Sequence, residues 1–208
     1  MNINSESLPD LDIGFQPGFL SQRQADEIYA SLLLEIPWEQ HYVHMFGKQI
    51  AAPRRSSWHG APDARYRYSG VSYAPKGYTP ALLTLIQSLH SQGHEFNSVL
   101  CNHYRNAHDS MGWHSDDEPE LGSNPKIASL SFGSTRRFCF RHKKLPHKFE
   151  LPLSHGSLLL MQGATQHAWQ HALPKSGKRA NLPGADMFAG EAAPDAGRIN
   201  LTFRWVYF

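Results

Sequence analysis

The stretch "RINLTFR", Arg198 to Arg204, alternates strictly between polar and apolar residues. On an extended chain Ile199, Leu201 and Phe203 fall on one face, and Arg198, Asn200, Thr202 and Arg204 on the other, because strand side chains repeat every two residues. The apolar face seeks a core. The polar face has two readings. Either water covers it, as on many antiparallel sheets, which suffices for the strand taken alone. Or it lines the inside of a closed β structure, where two Arg and an Asn are costly without anions to pair with. In the second case a bound dicarboxylate is a physical explanation, since Arg grips carboxylates bidentately.

Strand patterns also occur at 96–104 "FNSVLCNHY", 127–133 "IASLSFG", 136–142 "RRFCFRH" and 156–163 "GSLLLMQG". All are short, rich in β-branched and aromatic residues, and bounded by turn formers. Helices come earlier. "SQRQADEIYASLLLE" (21–35) opens with Ser21 and Gln24 at capping-box spacing and carries Ala25, Ile28, Leu32 and Glu35 on one mostly apolar face. A second helix starts at Thr79-Pro80 and stops near Gly93. With no helical patterns between the later strands, a closed or double-sheet β architecture is expected rather than alternating βα units. Residues 174–197, rich in Gly, Pro and Ala, read as a long mobile loop before the last strand.

The chain has 208 residues, 40% of them hydrophobic and 18% charged, enough for one domain with a substantial core. A net charge of +2 does not by itself mark a nucleic-acid binder, so any basic surface must be local. Cys101 and Cys139 sit in apolar stretches and read as buried free thiols. The N-terminus lacks the basic and apolar regions of a secretory signal. No apolar run is long enough to span a membrane. A reducing, cytoplasmic location is expected.

"WHSDDE", Trp113 to Glu118, crowds three carboxylates behind a His. The motif reads as lying just after a strand, in a loop marked by Gly112 and Pro119. His114 and Asp116, two apart on an extended chain, point the same way and can converge on one ion. A distal His would complete the 2-His-1-carboxylate set that leaves coordination positions open and suits non-haem Fe(II). "QHAWQHALP" offers His167 and His171. In a helix both could bind together. On an extended chain four residues span roughly 13 Å, so only one could ligate.

In their joint order, "NHYRN", "WHSDDEPELG", "IASLSFGSTRRF", "HGSLLLMQGATQHAWQHALPK" and "RINLTFR" resemble the AlkB family of Fe(II)- and 2-oxoglutarate-dependent dioxygenases. The resemblance covers most of residues 35–208. It implies a mainly β, α+β fold: a double-stranded β-helix (jelly-roll) core over about 96–208, behind an N-terminal helical and nucleotide-recognition-lid region over about 15–95, in one dioxygenase domain. It implies Fe(II) on His114, Asp116 and His171, favouring His171 over His167. It makes Arg198 the partner of the far carboxylate of 2-oxoglutarate and puts Arg204 near the other carboxylate. Asn102, Tyr104, Asn200 and Thr202 would complete the cosubstrate site.

With only short apolar runs in the chain, no membrane partner is expected, and the resemblance further implies a monomer acting on nucleic acid. It would use O2 to demethylate 1-methyladenine- or 3-methylcytosine-type bases in DNA, with RNA as a second substrate. "MFGK" falls where nucleic-acid members carry a hairpin, so Phe46, Gly47 and Lys48 are candidate substrate contacts. Arg54 and the lid residues Tyr66, Tyr68 and Ser69 join them, as do Asp117 and Glu118. Arg55, Arg136, Arg137, Arg141, Lys143 and Lys144 are further candidates for phosphate contacts. The alternatives are a protein or small-molecule hydroxylase on the same core, and a metal-holding β-barrel without redox chemistry.

Overall fold

Arg198–Arg204 lies in the middle of the main sheet, and neither of its faces meets water: all seven residues are buried. The solvated reading of its polar face is therefore wrong. The computed structural model describes residues 2–3, 8–45, 47–64, 66–68, 71–176 and 197–207, with backbone alone at 2–3, 43–45, 66–68 and 71–73.

In chain order the elements are β1 (Asn2–Ile3), β2 (Asp12–Gln16), α1 (Gln22–Glu35), β3 (Glu39–Met45), β4 (Lys48–Gly60), β5 (Tyr66–Tyr68) and β6 (Val71–Tyr73). They continue through α2 (Pro80–His90), β7 (Ser98–Tyr104), β8 (Met111–His114), β9 (Ile127–Gly133) and β10 (Arg136–His142). Last come β11 (Lys148–Leu153), β12 (Ser157–Gln162), the short α3 (Thr165–Ala168), β13 (Trp169–Leu173) and β14 (Arg198–Arg204). The main sheet runs β1-β2-β12-β9-β14-β7-β4-β3, and a smaller sheet runs β11-β10-β13-β8.

Three layers result. Leu32 of α1 and Leu82, Leu85 and Leu89 of α2 cover one face of the main sheet, against Val99, Leu130, Phe132, Ile199, Leu201 and Phe203. Each such burial stabilises by about 1.5–3 kcal/mol before entropy is counted. Both helices begin as the sequence requires. Ser21 and Gln24 form the reciprocal capping box, and Thr79 Oγ1 accepts from the Leu82 amide ahead of Pro80. The other face of the main sheet meets the smaller sheet, where Ile127, Leu159 and Met161 pack with Phe138, Phe140, Leu153, Trp169 and Leu173. The polar side chains of β14 point into this second, inter-sheet layer.

The N-terminal region supplies strands to this sheet as well as helices: β2 pairs with β12 and β4 with β7. The β3–β4 hairpin closes through Met45↔Lys48, with Gly47 at φ +73°, where the left-handed conformation favours glycine. Tyr66 and Tyr68 lie on the β5–β6 hairpin. Their side chains, Phe46, Ser69 and most of the 174–197 loop lie outside the described residues.

Candidate metal and cosubstrate site

The smaller sheet brings the two His together, since His171 of β13 pairs directly with His114 of β8. His114 is the last residue of its strand rather than a loop residue, and Gly112 lies within β8. That correction sharpens the geometry: the pleat aims His114 inward, and the chain leaves the strand in time to swing Asp116 beside it. The ligand atoms of His114, Asp116 and His171 all lie within 4.8 Å of one another.

His114 and Asp116 are each fixed by neighbours. His114 Nδ1 donates to the Gly112 carbonyl at 2.9 Å, which leaves Nε2 with its lone pair for a metal. The Asp116 amide donates to Gln166 Oε1, and Ser115 Oγ donates to the Trp169 carbonyl, so the turn after β8 is tied to the α3–β13 segment. Arg204 Nη2 donates to Asp116 Oδ1. Asp116 Oδ2 is buried without a hydrogen-bond partner among the described residues. A bare buried carboxylate oxygen beside two imidazoles is the chemistry a dication satisfies.

The charge states suit that role. Burial pulls against ionisation of Asp116, but the adjacent Arg204 guanidinium prevails and the carboxyl is held down to about 2. Burial, reinforced by His114, drives His171 down to about 3, so it is a neutral donor at pH 7. The 3.8 Å approach of His171 Nε2 to Asp116 Oδ2 is therefore no ion pair. His167 stands apart. It lies exposed on α3, where its Nε2 accepts from the Asn124 amide. The change from helical turn to strand between the two His, rather than one continuous extended chain, separates them.

Asn102, Tyr104, Arg198, Asn200, Thr202 and Arg204 line the same cavity as the triad, with Leu100, Met111, Phe138 and Leu173 as its apolar wall. Arg198 lies over the Tyr104 ring and donates to Ser131 Oγ, while its buried Nε has no hydrogen-bond partner among the described residues. Burial lowers Arg198 to about 10, which still leaves it cationic at neutral pH. Asn200 donates to Ser129 Oγ and accepts from Thr202. A buried guanidinium with an open N–H fits a carboxylate ligand.

The profile of the 2OG-Fe(II) oxygenase superfamily matches residues 12–204. Bovine alpha-ketoglutarate-dependent dioxygenase alkB homolog 3 is 41% identical over 202 residues, covering 92% of this chain and 65% of that protein. Human DNA oxidative demethylase ALKBH2 is 37% identical over 193 residues, covering 87% and 68%. The chain belongs to the AlkB family. The solved structure of OsALKBH1 superposes with a TM-score of 0.58 at 18% identity, over 92% of this chain and 97% of that one, and supports the jelly-roll fold alone. The chain spans 63–65% of the length of the bovine and rat alkB homolog 3 proteins. Fe(II), 2-oxoglutarate and O2 are the AlkB family's cofactor and co-substrates, and the His114-Asp116-His171 group fits the metal.

Other candidates fall elsewhere in this AlkB-family chain. Arg54 turns inward, its Nε donating to Asn102 Oδ1 at 3.0 Å beside the cavity. Asp117 is exposed and paired with Lys143, which also donates to the Gln166 carbonyl. Glu118 is half-buried ahead of the 3-10 turn Pro119–Leu121. Lys48, Arg55 and Lys144 are exposed, and Arg137 pairs with Glu150. Arg136 is no phosphate ligand: it is buried, and donates to the carbonyls of Asn106, Asp109 and Pro174. Sequence reading missed Ser129 and Ser131, although "IASLSFG" alternates just as "RINLTFR" does. It also missed Gln166, a fully buried residue that no local pattern distinguishes.

Proposed function

We propose that this chain is an oxidative demethylase of N-alkylated bases in nucleic acid, of the 1-methyladenine and 3-methylcytosine type, in DNA and also in RNA. The observation that carries it is that one cavity holds both the His-Asp-His group, with Asp116 and His171 buried, and a cationic wall suited to a carboxylate. The substrate class is supported by the names of the relatives, alkB homolog 3 and DNA oxidative demethylase ALKBH2. Lys48, Arg55 and Lys144 are exposed cations available for phosphate contacts in a chain of low net charge.

His114, His171 and Asp116 would hold Fe(II), the first two as neutral nitrogen donors and the third as the anionic one. Bound Fe(II), with 2-oxoglutarate and O2, supplies oxidation of the N-methyl C–H bond, yielding succinate, CO2, formaldehyde and the restored base. Arg198 would grip the distal carboxylate of 2-oxoglutarate, oriented by Ser131 and the Tyr104 ring. Arg204 keeps Asp116 ionised and would meet the other end of the cosubstrate. The wall of Leu100, Met111, Phe138 and Leu173 keeps water from the reacting atoms. The target base would be flipped into the cavity, at lower cost for a methylated base whose pairing is already weakened. Phe46, Gly47, Lys48, Tyr66, Tyr68, Ser69, Asp117 and Glu118 are the candidate contacts around it. The same reading takes the protein as a cytoplasmic monomer.

The test incubates the protein with Fe(II), 2-oxoglutarate and matched single- and double-stranded oligonucleotides carrying one methylated base. Formaldehyde release and loss of one methylene mass are expected. Consumption of 2-oxoglutarate with every methylated oligonucleotide unchanged would reject nucleic-acid demethylation and favour a hydroxylase of another substrate.

A further inference from the structure

His114 ends a short edge strand. β8 has four residues and lies at the edge of the smaller sheet. Its ladder to β13 consists of His171↔His114 and Leu173↔Met111, with an irregular register between them. An edge strand so short frays readily, and a metal ligand on it needs holding from another direction.

Beyond the bonds that tie Ser115 and Asp116 to the α3–β13 segment, a hold lies on the outer face of the sheet. Arg141 belongs to β10, two strands away, and its side chain crosses β13. Its Nε and Nη2 donate to Gln170 Oε1 at 3.0 and 2.8 Å, and its guanidinium carbon sits 4.5 Å from the centre of the Trp113 ring. The register makes the row continuous, since Arg141 pairs with Gln170 and Phe140 with His171. Each member of the outer row is one position from an inward residue of the site: Trp113 from His114, Gln170 from His171, and Arg141 from Phe140, whose ring lies 6.2 Å from that of His171. Alternation puts the row outside and the ligands inside. Trp113 is also 40% exposed, a large ring left at the surface with no core to fill.

We propose that Trp113, Arg141 and Gln170 form a cation–π brace that fixes β8 against β13 and so positions His114 for metal binding. They are positioning residues, acting on the site through His114. The proposal rests on the reading of His114 as a ligand.

The test titrates metal-free protein with Co(II) as the probe and follows its d–d absorption, in wild type, His114→Ala, Trp113→Ala, Trp113→Phe and Arg141→Met. Trp113→Ala and Arg141→Met should weaken Co(II) binding about 10-fold or more, as when an outer contact of a metal ligand is lost. Trp113→Phe, which keeps an aromatic face for Arg141, should stay near wild type. The metal-free forms should melt at similar temperatures, because the contact is at the surface. Should Trp113→Ala fail to fold, Arg141→Met, which keeps an aliphatic stem, carries the test. Wild-type affinity in both Trp113→Ala and Arg141→Met would overturn the brace alone, as would an equal loss in Trp113→Phe. A wild type whose Co(II) spectrum matches that of His114→Ala would overturn both the brace and the metal reading.

Discussion

Arg204 Nη2 lies 2.6 Å from Asp116 Oδ1, and both side chains are nearly sealed from water. Such a pair contributes little net stability, because desolvation offsets attraction, but removing one partner strands a buried charge. Arg204→Met should therefore destabilise the metal-free protein by about 3–5 kcal/mol. Urea denaturation measures this. A loss no larger than that of an exposed pair, under ~1 kcal/mol, would show that Asp116 does not depend on Arg204.

The two candidate His separate cleanly by substitution. His171→Ala should abolish metal-dependent turnover and weaken Co(II) binding, whereas His167→Ala should leave both near wild type, because His167 is exposed and bonded to the Asn124 amide. The reverse pattern would reassign the third ligand.

Arg198 presents a buried N–H toward the cavity. Arg198→Met should raise the KM for 2-oxoglutarate by roughly 10–100-fold, the worth of one charge-assisted hydrogen bond at about 1.5–3 kcal/mol. An unchanged KM would mean that the cosubstrate is gripped elsewhere.

Acid should weaken the fold partly through Asp109. Burial pulls its pKa upward, but Arg105 donates to it from the backbone amide, Nε and Nη2, and the net shift is downward. A depressed folded-state value means the stabilisation is complete above the ordinary carboxylate pKa of about 4 and is lost as pH falls through the lower folded value. Asp109→Asn should start less stable at neutral pH and lose less between pH 4 and 2. Parallel stability curves for the two proteins would contradict this.

The thiols should be inert in the native state. Cys101 is fully buried, with its pKa pushed up by burial, and burial together with Glu150 raises Cys139 to about 11. Iodoacetamide at pH 8 should label neither until denaturant is added; rapid labelling of either would show that its strand opens locally.

Local chemistry in the sequence determined the capped starts of both helices at Ser21 and Thr79, the strands at 127–133 and 136–142, and the two-residue spacing that turns His114 and Asp116 the same way. Motif order was enough to suggest the family and to favour His171. These features depend on interactions within a few residues, so they survive in the one-dimensional record. Only the tertiary structure decided that both faces of Arg198–Arg204 are buried, because burial depends on which sheet lies opposite. It alone took Arg136 out of contact with solvent, since the carbonyls that receive it come from residues 106, 109 and 174. It alone brought Gln166 to the Asp116 amide across 50 positions of chain. The Trp113–Arg141 stack likewise needs β13 between its two strands. The sequence, through its motifs and their order, brought out the candidate ligands and the kind of ion they suit. What holds those ligands still was decided by side chains far apart along the chain, which become neighbours only when the two sheets close.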